Sequence, residues 1–158
     1  MQAAKTKSNR KPKGSGHLRR SEILEVAQKI FAEEGYEGAT VRKIAEQVGV
    51  SSTAIYLHFP DKRAMLMEIA TAALAPLLAD SVVIAKAADV DPKEKARRMM
   101  QAYMRFAVEN PSAYDVVFSD APRQLAGAED PAWEVFASYH RHFLAVITEL
   151  ANLGRLKV

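Results

Sequence analysis

From Leu18 onward, apolar and polar positions recur with a helical period. Ile23, Ala27, Ile30 and Phe31 fall at three- and four-residue steps, and Gly35 marks the expected stop. Gly35-Tyr36-Glu37-Gly38 reads as a turn. Thr40 is placed to cap a short helix over Val41–Val48, which Gly49 ends. Ser51 caps a second short helix over residues 52–59, Pro60 breaks the chain, and Asp61 caps a longer helix reaching about residue 88. Pro76 sits inside that helix, where it removes a hydrogen bond and crowds the preceding turn, so a kink or break is expected. After the loop Asp89-Val90-Asp91-Pro92 come helices over 93–109 and 112–118, parted by Asn110-Pro111. Residues 119–130, with Pro122 and Gly127, read as irregular. The last helix spans 131–153, with Pro131 at a favoured first-turn position. No segment alternates convincingly with a period of two, and there is no internal repeat. The pattern predicts an all-α protein.

Residues 41–59, VRKIAEQVGVSSTAIYLHF, meet the demands of a helix-turn-helix, in which two short helices cross closely through a tight turn. The fifth position must be small because the second helix packs on it, and it is Ala45. The ninth needs a left-handed backbone, and it is Gly49. Positions four, eight, ten and fifteen must be apolar, and they are Ile44, Val48, Val50 and Ile55. A plain helical hairpin would explain the packing but not what is left outside. Ser51, Ser52, Thr53, Tyr56 and His58 carry hydroxyl and imidazole groups suited to base edges and phosphates. Arg42 and Lys62 flank them, and the helix N-termini offer free N–H groups to phosphate oxygens.

Charge sharpens this picture. The 158 residues sum to +3, yet Lys5, Lys7, Arg10, Lys11, Lys13, Arg19 and Arg20 fall in the first 20 with no acid among them. The remainder, with 15 cations against 19 acids, carries −4. A basic arm on an acidic body suits a polyanion partner, nucleic acid first, although a disordered solubilising tail has the same composition. At 49% hydrophobic and 26% charged, the chain has the balance of a soluble globular protein. It has no cysteine, which excludes disulfides, thiolate metal sites and a cysteine nucleophile. The uncharged run over residues 69–79 is short of the ~18–20 apolar residues a spanning helix needs, and the N-terminus lacks a signal-like apolar stretch. A cytoplasmic location with no membrane partner is expected.

His140 and His142 stand two apart on a helix and face opposite sides, so they cannot share a metal. Neither a glycine-rich phosphate loop nor a nucleophile elbow occurs. No catalytic residue, metal site or cofactor is expected, and the chain does not read as an enzyme.

The helix from Arg20 to Gly35, the link Gly-Tyr-Glu-Gly-Ala-Thr, Gly49-Val50-Ser51, and Ile55-Tyr56-Leu57-His58-Phe59-Pro60-Asp61-Lys62 resemble one known family. It is the DNA-binding domain of TetR-type (tetracycline-repressor-like) transcriptional regulators, and the resemblance covers residues 18–69. It implies phosphate contacts from Thr40, Tyr56, His58 and Lys62, with Arg42, Ser52, Thr53 and Leu57 nearest the bases. Val41 and Ser51 complete the expected DNA-binding set. Beyond residue 69 the chain resembles the family's regulatory domain less specifically. That domain is a helical bundle that binds a small apolar or amphipathic inducer and dimerises. The implied division is a disordered basic arm (1–17), a DNA-binding domain (18–64) and a regulatory domain (65–158).

Met99, Met100, Tyr103, Met104, Phe106, Phe118 and Trp133 are candidates to line an effector cavity, of which Met99, Met100, Tyr103, Phe106 and Phe118 form the expected ligand set. Ordinary core accounts equally for such an apolar stripe. In the final helix Phe136, Tyr139, Phe143, Val146, Leu150 and Leu153 alternate steps of three and four, a heptad seam that demands a partner helix. The family's dimer uses two helices from each subunit, whereas this sequence stops soon after the seam. A regulatory half shortened at its C-terminus, and a homodimer through residues 133–153 weaker than the family norm, are therefore expected. The reading that follows is a repressor on a palindromic operator in double-stranded DNA, released by an unidentified small-molecule effector. An activator or ligand-independent regulator belongs to the same class. A helical protein–protein adaptor with an incidental arm is the rival from another.

Overall fold

The computed structural model describes residues 16–125 and 131–155, without the side chains of 16–18 and 131–133. Most of the basic arm, Gly127 and the Trp133 side chain thus lie outside the described residues. The described residues form eight helices and no strand: α1 Gly16–Gly38, α2 Val41–Val48, α3 Ser52–Tyr56, α4 Lys62–Lys86, α5 Pro92–Glu109, α6 Pro111–Phe118, α7 Asp120–Leu125 and α8 Pro131–Asn152.

Local chemistry explains most of these boundaries. Thr40, Ser51 and Asp61 each turn a side-chain oxygen onto a backbone N–H of the first helical turn, at 3.1, 3.2 and 2.7 Å. Gly35 interrupts α1 with φ 72° and ψ 172°, so the expected turn is a bend from which the helical path resumes as far as Gly38. A Cβ there would meet no atom within 4 Å, so backbone conformation rather than space requires glycine.

Three expectations change. The second helix of the pair ends at Tyr56, not Phe59, because Phe59 turns into the core while its N–H still reaches the Ile55 carbonyl at 3.0 Å. Pro76 does not break α4, which runs through it without interruption. Residues 120–125, expected to be irregular, form α7. Pro122 is its third residue, where the missing N–H falls among donors that have no partner within the helix anyway.

Two apolar clusters share α4. The first joins α1, α2, α3 and the start of α4 around Ile23, Ile30, Ile44, Ile55, Phe59 and Met65. Val116 of α6 belongs to it, and Ala121 and Leu125 of α7 pack against it, so this core continues past residue 64 into the second half of the chain. The second cluster joins the middle of α4 to α5, α6 and α8 around Leu74, Leu77, Phe106 and Val117. By length and composition α4 is apolar enough to cross a membrane, with a mean hydropathy of 1.6 over its best window. Here it is the axis on which both clusters are built.

The heptad seam finds its partner within the chain. Val146 and Leu150, at 2% and 4% exposure, are buried as α8 runs along α4 and α5. Lys95 of α5, itself buried, places Nζ 3.6 Å from Glu149 of α8, and Ser81 of α4 meets Nδ1 of His142 at 3.1 Å. Leu144 and Leu153 remain exposed.

Candidate nucleic-acid interface

The helix pair is set by its inward-facing residues. Ile44, Ala45 and Ile55 are almost fully buried, and Gly49 takes the left-handed conformation at φ 75°. Its N–H and that of Val50 return to carbonyls near the end of α2, with Val50 to Ala45 at 2.9 Å. This fixes which side of α3 faces out. Ser51, Thr53, Tyr56 and Leu57 are exposed there, and Ser52 and His58 are half-buried beside them. Tyr56 is 54% exposed and Leu57 81%. A leucine so far out of the core gains nothing for the isolated fold. On the α2 side, Thr40 and Arg42 are exposed and Val41 is half-buried.

Arg42, Lys43 and Lys62 each have an intramolecular partner already. Arg42 pairs with Glu46 at 2.9 Å on the open face of α2. Lys43 is held by Glu34 and also donates to the Gly38 carbonyl at 3.3 Å. Lys62, expected at a phosphate, donates here to the carbonyls of Tyr36 and Ala39 at 2.5 and 3.0 Å. Its ammonium lies 3.9 Å from the centroid of the Tyr36 ring. It closes the C-terminal end of α1, where carbonyls lack partners and the helix dipole favours a cation. Burial, helped by Asp61 and Glu37, pushes the Tyr36 phenol above its ordinary value.

Sequence reasoning did not find the clasp behind α3. Arg20 of α1 grips Glu68 of α4, donates to the His58 carbonyl, and lies 4.0 Å from the centroid of the Phe59 ring. Nothing local signals it, because Glu68 stands 48 positions away.

The five residues of the expected ligand set do not share a cavity. Phe106 lines a groove of about 580 Å3 between α1, α4 and α5, whereas Phe118 lines a cavity of about 570 Å3 beneath α7. Met99 is fully buried. Met100 and Met104 look outward from the opposite face of α5. Tyr103 shares a hydroxyl contact of 3.1 Å with Tyr114 and meets Phe118 edge-on.

Residues 23–69 match the model of the bacterial regulatory proteins of the tetR family. Over 70 residues the chain is 46% identical to the HTH-type transcriptional repressor AcnR of Corynebacterium diphtheriae, covering 42% of this chain and 37% of that protein. Over 113 residues it is 34% identical to the HTH-type transcriptional repressor KstR2 of Mycobacterium tuberculosis, covering 72% of this chain and 56% of that one. The chain therefore spans between about a third and just over half of these relatives. Against the TetR family transcriptional regulator PfmR from Thermus thermophilus, the TM-score is 0.71 at 30% identity, over 86% of this chain and 74% of that chain. The chain belongs to the TetR family. In this TetR-family chain the family match takes in the helix pair and ends within α4, and Arg20, just ahead of the match, is tied to its far end through Glu68. The helical half beyond it also follows the family, as the ketosteroid transcriptional regulator KstR2 of M. tuberculosis gives a TM-score of 0.72 at 28% identity.

Proposed function

We propose that this TetR-family chain is a sequence-specific DNA-binding transcriptional repressor, working in the cytoplasm as a homodimer on a palindromic operator and released by a small-molecule effector. The observation that carries the reading is the exposed face of α3. Its packing residues are buried, while Thr53, Tyr56 and an 81%-exposed Leu57 are offered outward. Hydroxyls serve phosphates and base edges, and Leu57 suits a thymine methyl in the major groove. Arg42 sits beside them in a surface pair that a phosphate displaces at little cost. The basic residues of the arm add sequence-independent attraction.

Release follows from linkage. α4 starts directly behind α3 and extends into the regulatory half. An effector that prefers a bundle geometry with the wrong spacing between recognition helices weakens operator binding by its differential affinity for the two states. The relatives named repressors support the sign of the regulation. Selection of bound sequences from random double-stranded DNA tests the reading. The expected result is a palindromic consensus; enrichment of no sequence over background would overturn it.

A further inference from the structure

The cavity beneath α7 has an apolar wall made by Ala70 of α4, Phe118, Pro122 of α7, and Phe136, Ala137 and Leu144 of α8. Its volume of about 570 Å3 is that of a small-molecule site. Three nitrogen-bearing side chains stand around the wall, and two are already engaged. Arg141 is held by Glu134 and by the Ser138 hydroxyl at 2.7 Å. His140 lies flat against the Phe136 ring, with Nδ1 3.2 Å from the Phe136 carbonyl. The exposed Arg123 side chain has neither an ion pair nor a hydrogen bond among the described residues, and Asp120, which lines the same cavity one turn earlier in α7, does not pair with it.

An unengaged arginine beside an apolar wall sets a specific chemistry. The wall gains by covering apolar surface, and a planar guanidinium offers parallel N–H donors to a carboxylate or sulfonate. The same helix is fastened at its other end to the DNA-binding unit. Nε of Arg63 donates to the Leu125 carbonyl at 3.0 Å, and Ala121 and Leu125 rest on the core under α1, α2 and α3. Arg63 follows Lys62, whose ammonium holds the carbonyls of Tyr36 and Ala39.

We propose that this cavity binds an apolar monoanion, an aryl or acyl carboxylate or sulfonate, with Arg123 as the group that meets its charge, and that α7 passes occupancy to the start of α4 through Arg63. The regulatory consequence rests on the function proposed above, whereas the binding does not. The test uses the full chain and two fluorescent probes, the anion 1-anilinonaphthalene-8-sulfonate and its uncharged analogue N-phenyl-1-naphthylamine. The sulfonate saturates a single site. Arg123→Gln weakens it about tenfold or more and leaves the neutral probe within about twofold, Arg123→Lys restores part of the loss, and Leu144→Gln on the exposed lip weakens both probes. Near-ultraviolet circular dichroism verifies that each variant is folded. Equal sulfonate affinity in Arg123→Gln, or an equal loss for both probes, would overturn the site. Bound sulfonate also slows amide exchange in residues 36–62, and Arg63→Ala abolishes that slowing without preventing binding. An exchange pattern in the parent that does not respond to the sulfonate would overturn the transmission. No DNA enters either measurement, so failure here is separate from failure of the regulator reading.

Discussion

Arg20 and Glu68 meet through both carboxylate oxygens, with Nε 3.1 Å from Oε1, across 48 positions of sequence. Through the same guanidinium, the start of α1 also touches the His58 carbonyl and the Phe59 ring, where the chain leaves α3. The two side chains are 39% and 37% exposed, so water screens their charges and the Coulomb share is modest. What distinguishes the contact is its shape, a paired fork with a ring beneath it.

Arg20→Ala is therefore expected to lower the unfolding free energy by about 1–2 kcal/mol, since ring contact and carbonyl bond are lost together. Glu68→Gln costs less. A double-mutant cycle by urea unfolding should give a coupling of about 0.5–1 kcal/mol, and a coupling of zero would show that the two side chains are neighbours only.

Lys62→Met should lower stability by about 1–2 kcal/mol, because the carbonyls of Tyr36 and Ala39 lose their donor. The salt dependence of DNA binding should keep its slope. A slope smaller by about one unit would return Lys62 to the phosphate role that the family resemblance implies.

Leu57→Ala should leave the melting temperature unchanged, because the side chain is exposed. It should cost about 1–3 kcal/mol at a single base position of the operator. Competition binding against operators altered one base pair at a time measures this. A uniform loss at every position would assign Leu57 to general contact.

The helix pair was legible in sequence because its rules are local. Ala45, Gly49 and Ile55 meet constraints spanning fewer than fifteen positions, and the caps Thr40, Ser51 and Asp61 act within one turn. The Arg20 clasp and the resting place of α7 depend on separations that periodicity does not record. The intramolecular role of Lys62 was hidden for the same reason, since its carbonyl partners lie 26 and 23 residues earlier. The ligand set scattered on other grounds. Apolar spacing shows which residues leave the solvent face, but not which of them line empty space, so Met99 and Phe106 look alike in sequence and differ in the fold.

Two positions of the heptad seam should respond differently to charge. Val146→Glu places a carboxylate in the core and should destabilise the chain by at least about 3 kcal/mol. Leu153→Glu, 56% exposed in the parent just past the end of the helix, should leave unfolding unchanged and weaken self-association about tenfold by sedimentation equilibrium. Equal association in parent and Leu153→Glu would place the dimer contact elsewhere.

Burial and the hydrogen bond to Tyr114 push the Tyr103 phenol up to about 12 from an ordinary 10.0. A group that keeps its proton longer in the folded state contributes stability that is complete below pH 10 and fades between pH 10 and 12. Phenolate absorbance should show a late step near pH 12 that disappears in Tyr103→Phe.

Val116, Ala121 and Leu125 lie far along the chain from the helix pair, yet they finish its core. Regulators of this architecture invite recombination, in which a recognition head from one protein is joined to the sensing half of another. In this chain a splice after residue 64 would leave the head resting on foreign side chains at positions 116, 121 and 125. A working hybrid must inherit those three residues along with the head, so the unit that can be exchanged is defined by who shares an apolar surface, not by where the polypeptide is cut.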